Sequence, residues 1–447
     1  MLLLAFKNFI RSRSVLLGIV FLLLTGVISL LIGRQFLDRQ HQHLRDVQAW
    51  QQEHVQRNVA FHDKEIGLLL YYLRFSLVNE THPLNGLSIG QRDVTPSVKS
   101  LNIRNLEAQQ YDTDLYNPTN LLLGNLDFSF VLIYLFPLMI IAFTYNTLSG
   151  EKEQGTWSLL SLQAGKPGKL ILQLFALRGA VLLALFIVLV ALAIPILGLP
   201  LDRGLLAVVT VGILYLLFWL SASWWILSWQ KSSPVNAISL LALWVLLTMV
   251  SPAMINNFLI NRYPTPEALE TAVEQRRGYH DKWDQDQVLA MKPFYKHYPQ
   301  FAHYGVPKDR GWLWYFAAQQ MGDDEAKASS DLLRKKLHSR EQAGQAIAWF
   351  IPSLHVQWQL NGLAQAGLGN YLQYLDRAAI FHEANRLHYY PAIFEGRAVS
   401  SEDWKAIQVT RFTAPQYVDW LRLTLPLVLS VVLLSLLSTF NGRKQFQ

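Results

Sequence analysis

Six stretches of this chain are apolar and free of Asp, Glu, Lys and Arg: Ser14–Gly33, Phe128–Gly150, Gly179–Leu201, Gly204–Gln230, Ser232–Asn261 and Leu423–Gly442. A helix needs about 20 apolar residues to cross a hydrocarbon core, and each run approaches or exceeds that length. Inside lipid every backbone polar group must be satisfied within the segment, which restricts such runs to helices. The expected fold class is an all-α membrane protein with six transmembrane helices. A length of 447 residues would otherwise suit two or three soluble domains, but 51% apolar and only 16% charged residues argue against that reading.

Charge placement orients the runs. Short loops rich in Lys and Arg stay in the cytoplasm. Lys7, Arg11 and Arg13 precede the first run, and Lys152, Lys166, Lys169 and Arg178 surround the second connection. Lys231 separates the fourth and fifth runs, and Arg443 and Lys444 follow the sixth. These ten cations face only Glu151 and Glu153, a balance of +8 within a total of +7. The basic excess is therefore a topology signal, and no nucleic-acid partner is expected. Both termini are placed in the cytoplasm. The organisation that follows has an amphipathic interfacial helix at 1–13 and spans at 14–33, 127–148, 171–199, 204–229, 236–255 and 420–440. Outside lie two insertions, 34–126 and 256–416, expected to form a mainly helical periplasmic domain. A segment at 149–169 and a tail at 441–447 remain inside. A secretory signal peptide competes for the N-terminus, but the run is long and no small-x-small cleavage site follows it, so a retained anchor is expected.

Within the insertions, Gln35 to about Asn79 reads as long helix and Asn79–Asn125, with Pro83, Gly86, Gly90, Pro96 and Pro118, as mostly loop. Helices are expected from Pro266 onward and over Asp323–Gln345. Gln342–Leu375 is also free of charge, but its glutamines, His355 and Pro352 make a further span costly. A helix packed on its own domain or skimming the bilayer is the expectation there.

The 149–169 segment carries Glu151-x-Glu153-x-Gly155-Thr156, then Trp157, Leu159, Leu160 and Leu162, and reads as a short helix along the cytoplasmic surface. Glu151 and Glu153 offer charge to a partner, and Gly155 allows close backbone approach. The alternative is that the glutamates only cap and solvate a surface helix. With six spans and an amphipathic N-terminus, this motif resembles the coupling segment of ABC-2 type transporter permeases. Ile351-Pro352-Ser353-Leu354-His355-Val356-Gln357-Trp358-Gln359-Leu360-Asn361-Gly362-Leu363-Ala364, with Phe381 and Tyr389-Tyr390-Pro391, resembles a bacterial subgroup with large insertions after the first and fifth helices.

That resemblance implies the permease subunit of an exporter in the bacterial inner membrane. ABC ATPase subunits and a second permease, identical or related, are the implied partners, with membrane lipids around them and a periplasmic protein as a further candidate. Glu151, Glu153, Gly155, Thr156 and Trp157 would then couple to the ATPase. In such permeases the second and fifth helices face the dimer axis, so Phe128, Phe130, Tyr134, Phe136, Trp244 and Met249 are candidates to line a path, although lipid-facing or packing roles compete for each. Pro137, Pro195, Pro252 and Pro426 are candidate kinks.

The chain is not expected to be an enzyme. Gly165-Lys166 and Gly168-Lys169 lack the upstream Gly and following Ser or Thr of a phosphate-binding loop, so ATP and Mg²⁺ would sit on the partner and no cofactor on this chain. Cysteine is absent, and His41-x-His43 points its two rings to different helix faces, which disfavours metal binding. No G-x-S-x-G elbow occurs. A membrane-anchored scaffold or mechanical relay acting on a periplasmic partner is the alternative class.

Overall fold

The computed structural model describes residues 2–110, 125–158, 162, 167–283 and 286–443. Six of its helices are long and apolar enough to cross a membrane: Arg13–Phe61, Phe128–Glu153, Pro167–Leu197, Arg203–Leu227, Ser233–Asp281 and Trp420–Asn441. These make the chain a multi-pass membrane protein, and they are numbered here as the first to sixth spans. Of the expected 149–169 segment, residues 159–161 and 163–166, including Leu159, Leu160 and Lys166, lie outside the described residues, as do 111–124 and 444–447.

The fourth span is the axis of the bundle. Tyr215, Leu216 and Trp219 are fully buried, and the second, third and sixth spans pack around it. The N-terminal helix, Leu2–Arg11, docks on the side of the 149–157 linker, where Phe9 meets Phe143 edge-on at 5.5 Å. Arg178 of the third span lies 5.4 Å over the Phe9 ring. It donates to the Phe143 carbonyl at 2.8 Å, Asn146 Oδ1 at 3.1 Å and Thr147 Oγ1 at 3.0 Å.

The first span is a single helix of 49 residues, about 74 Å at 1.5 Å per residue. Its apolar run ends near Gly33, which lies directly against the Gly86 carbonyl where no side chain would fit. The polar remainder projects beyond the bundle to Phe61. A long helix to Asn79 does not form: after a turn and a short helix, Ile66–Tyr72, the chain becomes a buried strand, β1 (Phe75–Asn79). Gln51 of the first span holds it there, donating to the Arg74 carbonyl and accepting from Ser76 N–H, both at 2.8 Å.

β1 is the middle of a three-stranded sheet. It pairs antiparallel with β2 (Val98–Leu101) and parallel with β3 (Thr410–Phe412), so one strand of the second insertion completes the sheet of the first. Residues 79–110 are therefore more regular than loop. The other extramembrane helices are Gln287–His297, Trp312–Ala348 and Leu368–Phe394, and the fifth span continues past a turn at 263–266 into Glu267–Asp281. Their core is aromatic, with Phe294, Trp314, Phe316 and Tyr390 fully buried. A buried ion pair ties the two insertions. Arg386 Nη2 lies 2.7 Å from Asp323 Oδ2, while Asp323 accepts from Leu106 N–H at 2.8 Å and Glu107 N–H at 3.2 Å.

Candidate functional site

The second and fifth spans both contain a π turn, Val131–Leu135 and Leu246–Val250, each followed by a proline, Pro137 and Pro252. A proline supplies no N–H and its ring crowds the carbonyl one turn earlier, so nearby carbonyls need other donors. Tyr215 Oη of the fourth span donates to the Ile133 carbonyl at 2.9 Å, and Ser353 Oγ to the Leu247 carbonyl at 2.5 Å. Trp244 Nε1 crosses from the fifth span to the Tyr134 carbonyl at 3.2 Å.

Between these turns lies a cleft of about 770 Å³. Phe130, Tyr134, Trp244 and Met249 line it, so four of the six sequence-predicted path residues meet there. Phe130 and Tyr134 stack at 5.0 Å, and the Tyr134 hydroxyl has no hydrogen-bond partner among the described residues. Phe128 and Phe136 do not join them: both are fully buried against Phe186, at 6.1 and 6.0 Å, and serve packing. On the insertion side the lining turns polar, with Gln91, Asp93, Asn125, Asp127 and Gln357. Asp127 caps the second span, accepting from Phe130 N–H at 2.9 Å and Ser129 Oγ at 2.7 Å, and also from Ile89 N–H at 2.8 Å. Sequence reasoning missed Asp127 as a wall residue, although an Asp directly before an apolar run is a helix-start signal.

Gln357 comes from the charge-free 342–375 stretch. Its helix, Pro352–Leu363, has 12 residues, too short to span. It packs on the fourth and sixth spans, with Val356, Leu360 and Leu363 in the bundle core. Its start reaches Leu247, about 21 Å along the fifth span, so it enters the bundle without crossing it. His355 Nε2 lies 3.1 Å from the Leu423 carbonyl, where it takes the donor role.

At the other end of the same two spans lies the Glu-x-Glu-x-Gly-Thr segment. The second span continues as helix through Glu153, and Gly155 ends it in the left-handed region at φ +73°. Glu153 Oε1 accepts from Ser233 N–H at 2.7 Å and thereby caps the start of the fifth span. Ser149 Oγ lies 2.7 Å from Ser233 Oγ, and Lys152 Nζ donates to Gln230 Oε1 at 2.7 Å. Thr156 Oγ1 binds the Glu151 carboxylate, and Trp157 is half-buried. Glu153 therefore caps the start of the fifth span, not the surface helix that the competing reading has it cap.

The histidines are dispersed. His54 Nε2 accepts from Arg74 N–H at 3.1 Å, His62 stacks on Tyr72, and His297 lies 2.9 Å from Asp324. Among the described residues no group of three His, Cys, Asp or Glu side chains could hold a metal ion.

Residues 268–413 match the family model described as "Domain of unknown function (DUF3526)". The match covers the second insertion from Ala268 through β3 and includes Gln357, but none of the other cleft residues named above. No curated protein and no solved structure matches the chain.

Proposed function

We propose that this chain is the permease subunit of an ABC-2 type exporter in the bacterial inner membrane, driven by a separate ATPase that binds ATP and Mg²⁺. One observation carries the reading: the 149–157 segment is hydrogen-bonded across the two spans that line the cleft. A push on this segment moves the end of the second span and the start of the fifth together, through Glu153 and the Ser149–Ser233 contact. Both spans then transmit it to their π turns, where the α-helical hydrogen-bond register is already broken. The charge distribution supports a cytoplasmic position for the segment and both termini, with the insertions outside.

A second permease copy, or a related permease, fits beside the fifth span. Only 11% of that span's most apolar stretch is buried within the chain, against 22–61% for the others. Lipid or a partner must cover it.

The test is a gentle-detergent pull-down of the tagged full chain from its host. An ATPase with a phosphate-binding loop, recovered in equal ratio, supports the proposal, and any second permease settles the pairing. Recovery of extracytoplasmic proteins without an ATPase overturns it in favour of the scaffold or relay.

A further inference from the structure

A second cleft, about 1030 Å³, climbs the outside of the first span from Ile32 to Arg57, 25 residues and hence about 37 Å along the helix. Its foot, Ile32 and Phe36, lies where the apolar run of that span ends, and Val47 and Trp50 continue an apolar strip upward. Above the foot the walls are basic. Arg39 and Arg57 come from the helix, Arg74 from the residue before β1, and Arg92 from the loop between β1 and β2.

None of these four guanidinium groups has a carboxylate partner among the described residues. Arg39 donates to the Gln35 carbonyl at 3.4 Å and Arg74 to the Ser100 carbonyl at 3.2 Å. Arg92 is 5% exposed. Its Nη2 donates to the Asn79 and Glu80 carbonyls at 2.9 and 2.7 Å and to Thr81 Oγ1, while its Nη1 has no partner. A buried cation held only by neutral acceptors is costly, and burial pulls its pKa down to about 10. Glu53 and Asp93 are the carboxylates in the lining, and Asp93 is engaged by Asn125 Nδ2 at 2.7 Å. The walls therefore carry an excess of positive charge even with His43 and His54 neutral.

The two clefts meet. Asp93 and Asn125 line both, so their hydrogen bond is a shared wall between the cleft of the second and fifth spans and the basic groove.

We infer that this groove binds an anionic amphiphile, its apolar part along Ile32, Phe36, Val47 and Trp50 and its carboxylate or phosphate against Arg57, Arg74 and Arg92. Naming this ligand as the cargo rests on the transport reading above, whereas the binding site does not. Inorganic phosphate alone lacks the part that fills the foot, and a neutral amphiphile leaves the guanidinium groups unmatched.

The experiment uses the full chain in phosphatidylcholine nanodiscs, titrated with dansyl-undecanoic acid and with its methyl ester. The acid is expected to bind at least about tenfold more tightly than the ester, in a salt-dependent way. R57Q/R74Q is expected to lose about tenfold in affinity for the acid, R57K to keep most of it, and R276Q/R277Q, on a helix outside the groove, to leave it unchanged. Nanodiscs containing phosphatidylglycerol separate the sources. Loss of probe binding there marks an anionic lipid as the occupant, and retention marks a soluble amphiphile. Equal affinity for acid and ester, or unchanged affinity in R57Q/R74Q, overturns the inference. No ATPase takes part in the titration, so a pull-down that refutes the transporter leaves its result standing.

Discussion

Replacing Asp323 with Ala should loosen the 103–107 segment of the first insertion from the second, while the β1–β3 pairing still joins the two. The Arg386 and Asp323 side chains are 2% and 7% exposed, so neither charge can be rehydrated in place. The substitution strands the Arg386 guanidinium among neutral acceptors, the Ile103 and Arg104 carbonyls and Gln320. It also removes the acceptor shared by Leu106 and Glu107 N–H. Breaking a buried pair from one side costs about 3–5 kcal/mol, and an orphaned amide about 1–3. These terms overlap at one site, so about 4 kcal/mol is the expected total. For a body of this size that corresponds to roughly a 10 °C fall in the melting midpoint. Removing both charges tells the origin of the loss. D323L/R386M leaves no orphaned charge and should melt above either single variant, with a coupling of about 2 kcal/mol or more. The assay is thermal unfolding in detergent followed by limited proteolysis, where D323A should expose sites between Arg74 and Gln110 first. A midpoint for D323A within a degree of the parent, or singles that simply add in the double, would refute the clamp.

Three further outcomes are expected. E153A removes the acceptor that caps the fifth span; it should cost about 1 kcal/mol of stability and, on the transport reading, uncouple ATP hydrolysis from cargo while leaving membrane insertion intact, as read by paired ATPase and flux assays. Y215F deletes the donor to the Ile133 carbonyl; it should cost about 1 kcal/mol in thermal unfolding, and less in a P137A background, where a backbone N–H is restored. His382 is fully buried, and burial first, then the Arg386 charge, holds its pKa well below 6.5. The folded chain then keeps this ring neutral while the unfolded chain protonates, so stability is retained above the ordinary His pKa and lost as pH falls below it. Between pH 7.5 and 5 the loss should reach about 2 kcal/mol and be absent in H382Q, a difference measurable by melting across that range.

The spans were legible because lipid imposes one rule, absence of charge over the thickness of the core, and the six helices obey it. The strands were not. Phe75–Asn79 has its partners at Val98–Leu101 and Thr410–Phe412, and no local pattern announces a pairing that distant. The 342–375 stretch was legible only in part. Its glutamines, His355 and Pro352 argued against a span, and the helix between Pro352 and Leu363 is indeed too short for one, but nothing in the residue types showed that it would pack into the bundle rather than on its own domain or along the bilayer. For the path, residue type indicated aromatics on the second and fifth spans but not their facing. Phe128 and Phe136 each sit two positions, about half a helical turn, from Phe130 and Tyr134, the cleft-facing pair at the start of and within the π turn, and so face the bundle core.

That turn also bears on how a membrane helix could move. In hydrocarbon an exposed carbonyl costs several kcal/mol, so a span can change its register only if another donor is waiting. At the fifth span three hydroxyls stand at the broken turn: Thr248 Oγ1 donates to the Trp244 carbonyl at 2.7 Å, Ser251 Oγ to the Leu246 carbonyl at 2.8 Å and Ser353 Oγ to that of Leu247. A hydroxyl can rotate from one acceptor to another, and each exchange costs about 1 kcal/mol rather than the full price of an orphan. On the transport reading Ser353 therefore makes the short 352–363 helix a partner in the movement as well as a wedge in the bundle. S353A should slow flux while leaving recovery of the ATPase unchanged, and S353T, which keeps the hydroxyl, should restore it; equal flux in all three would remove Ser353 from the mechanism.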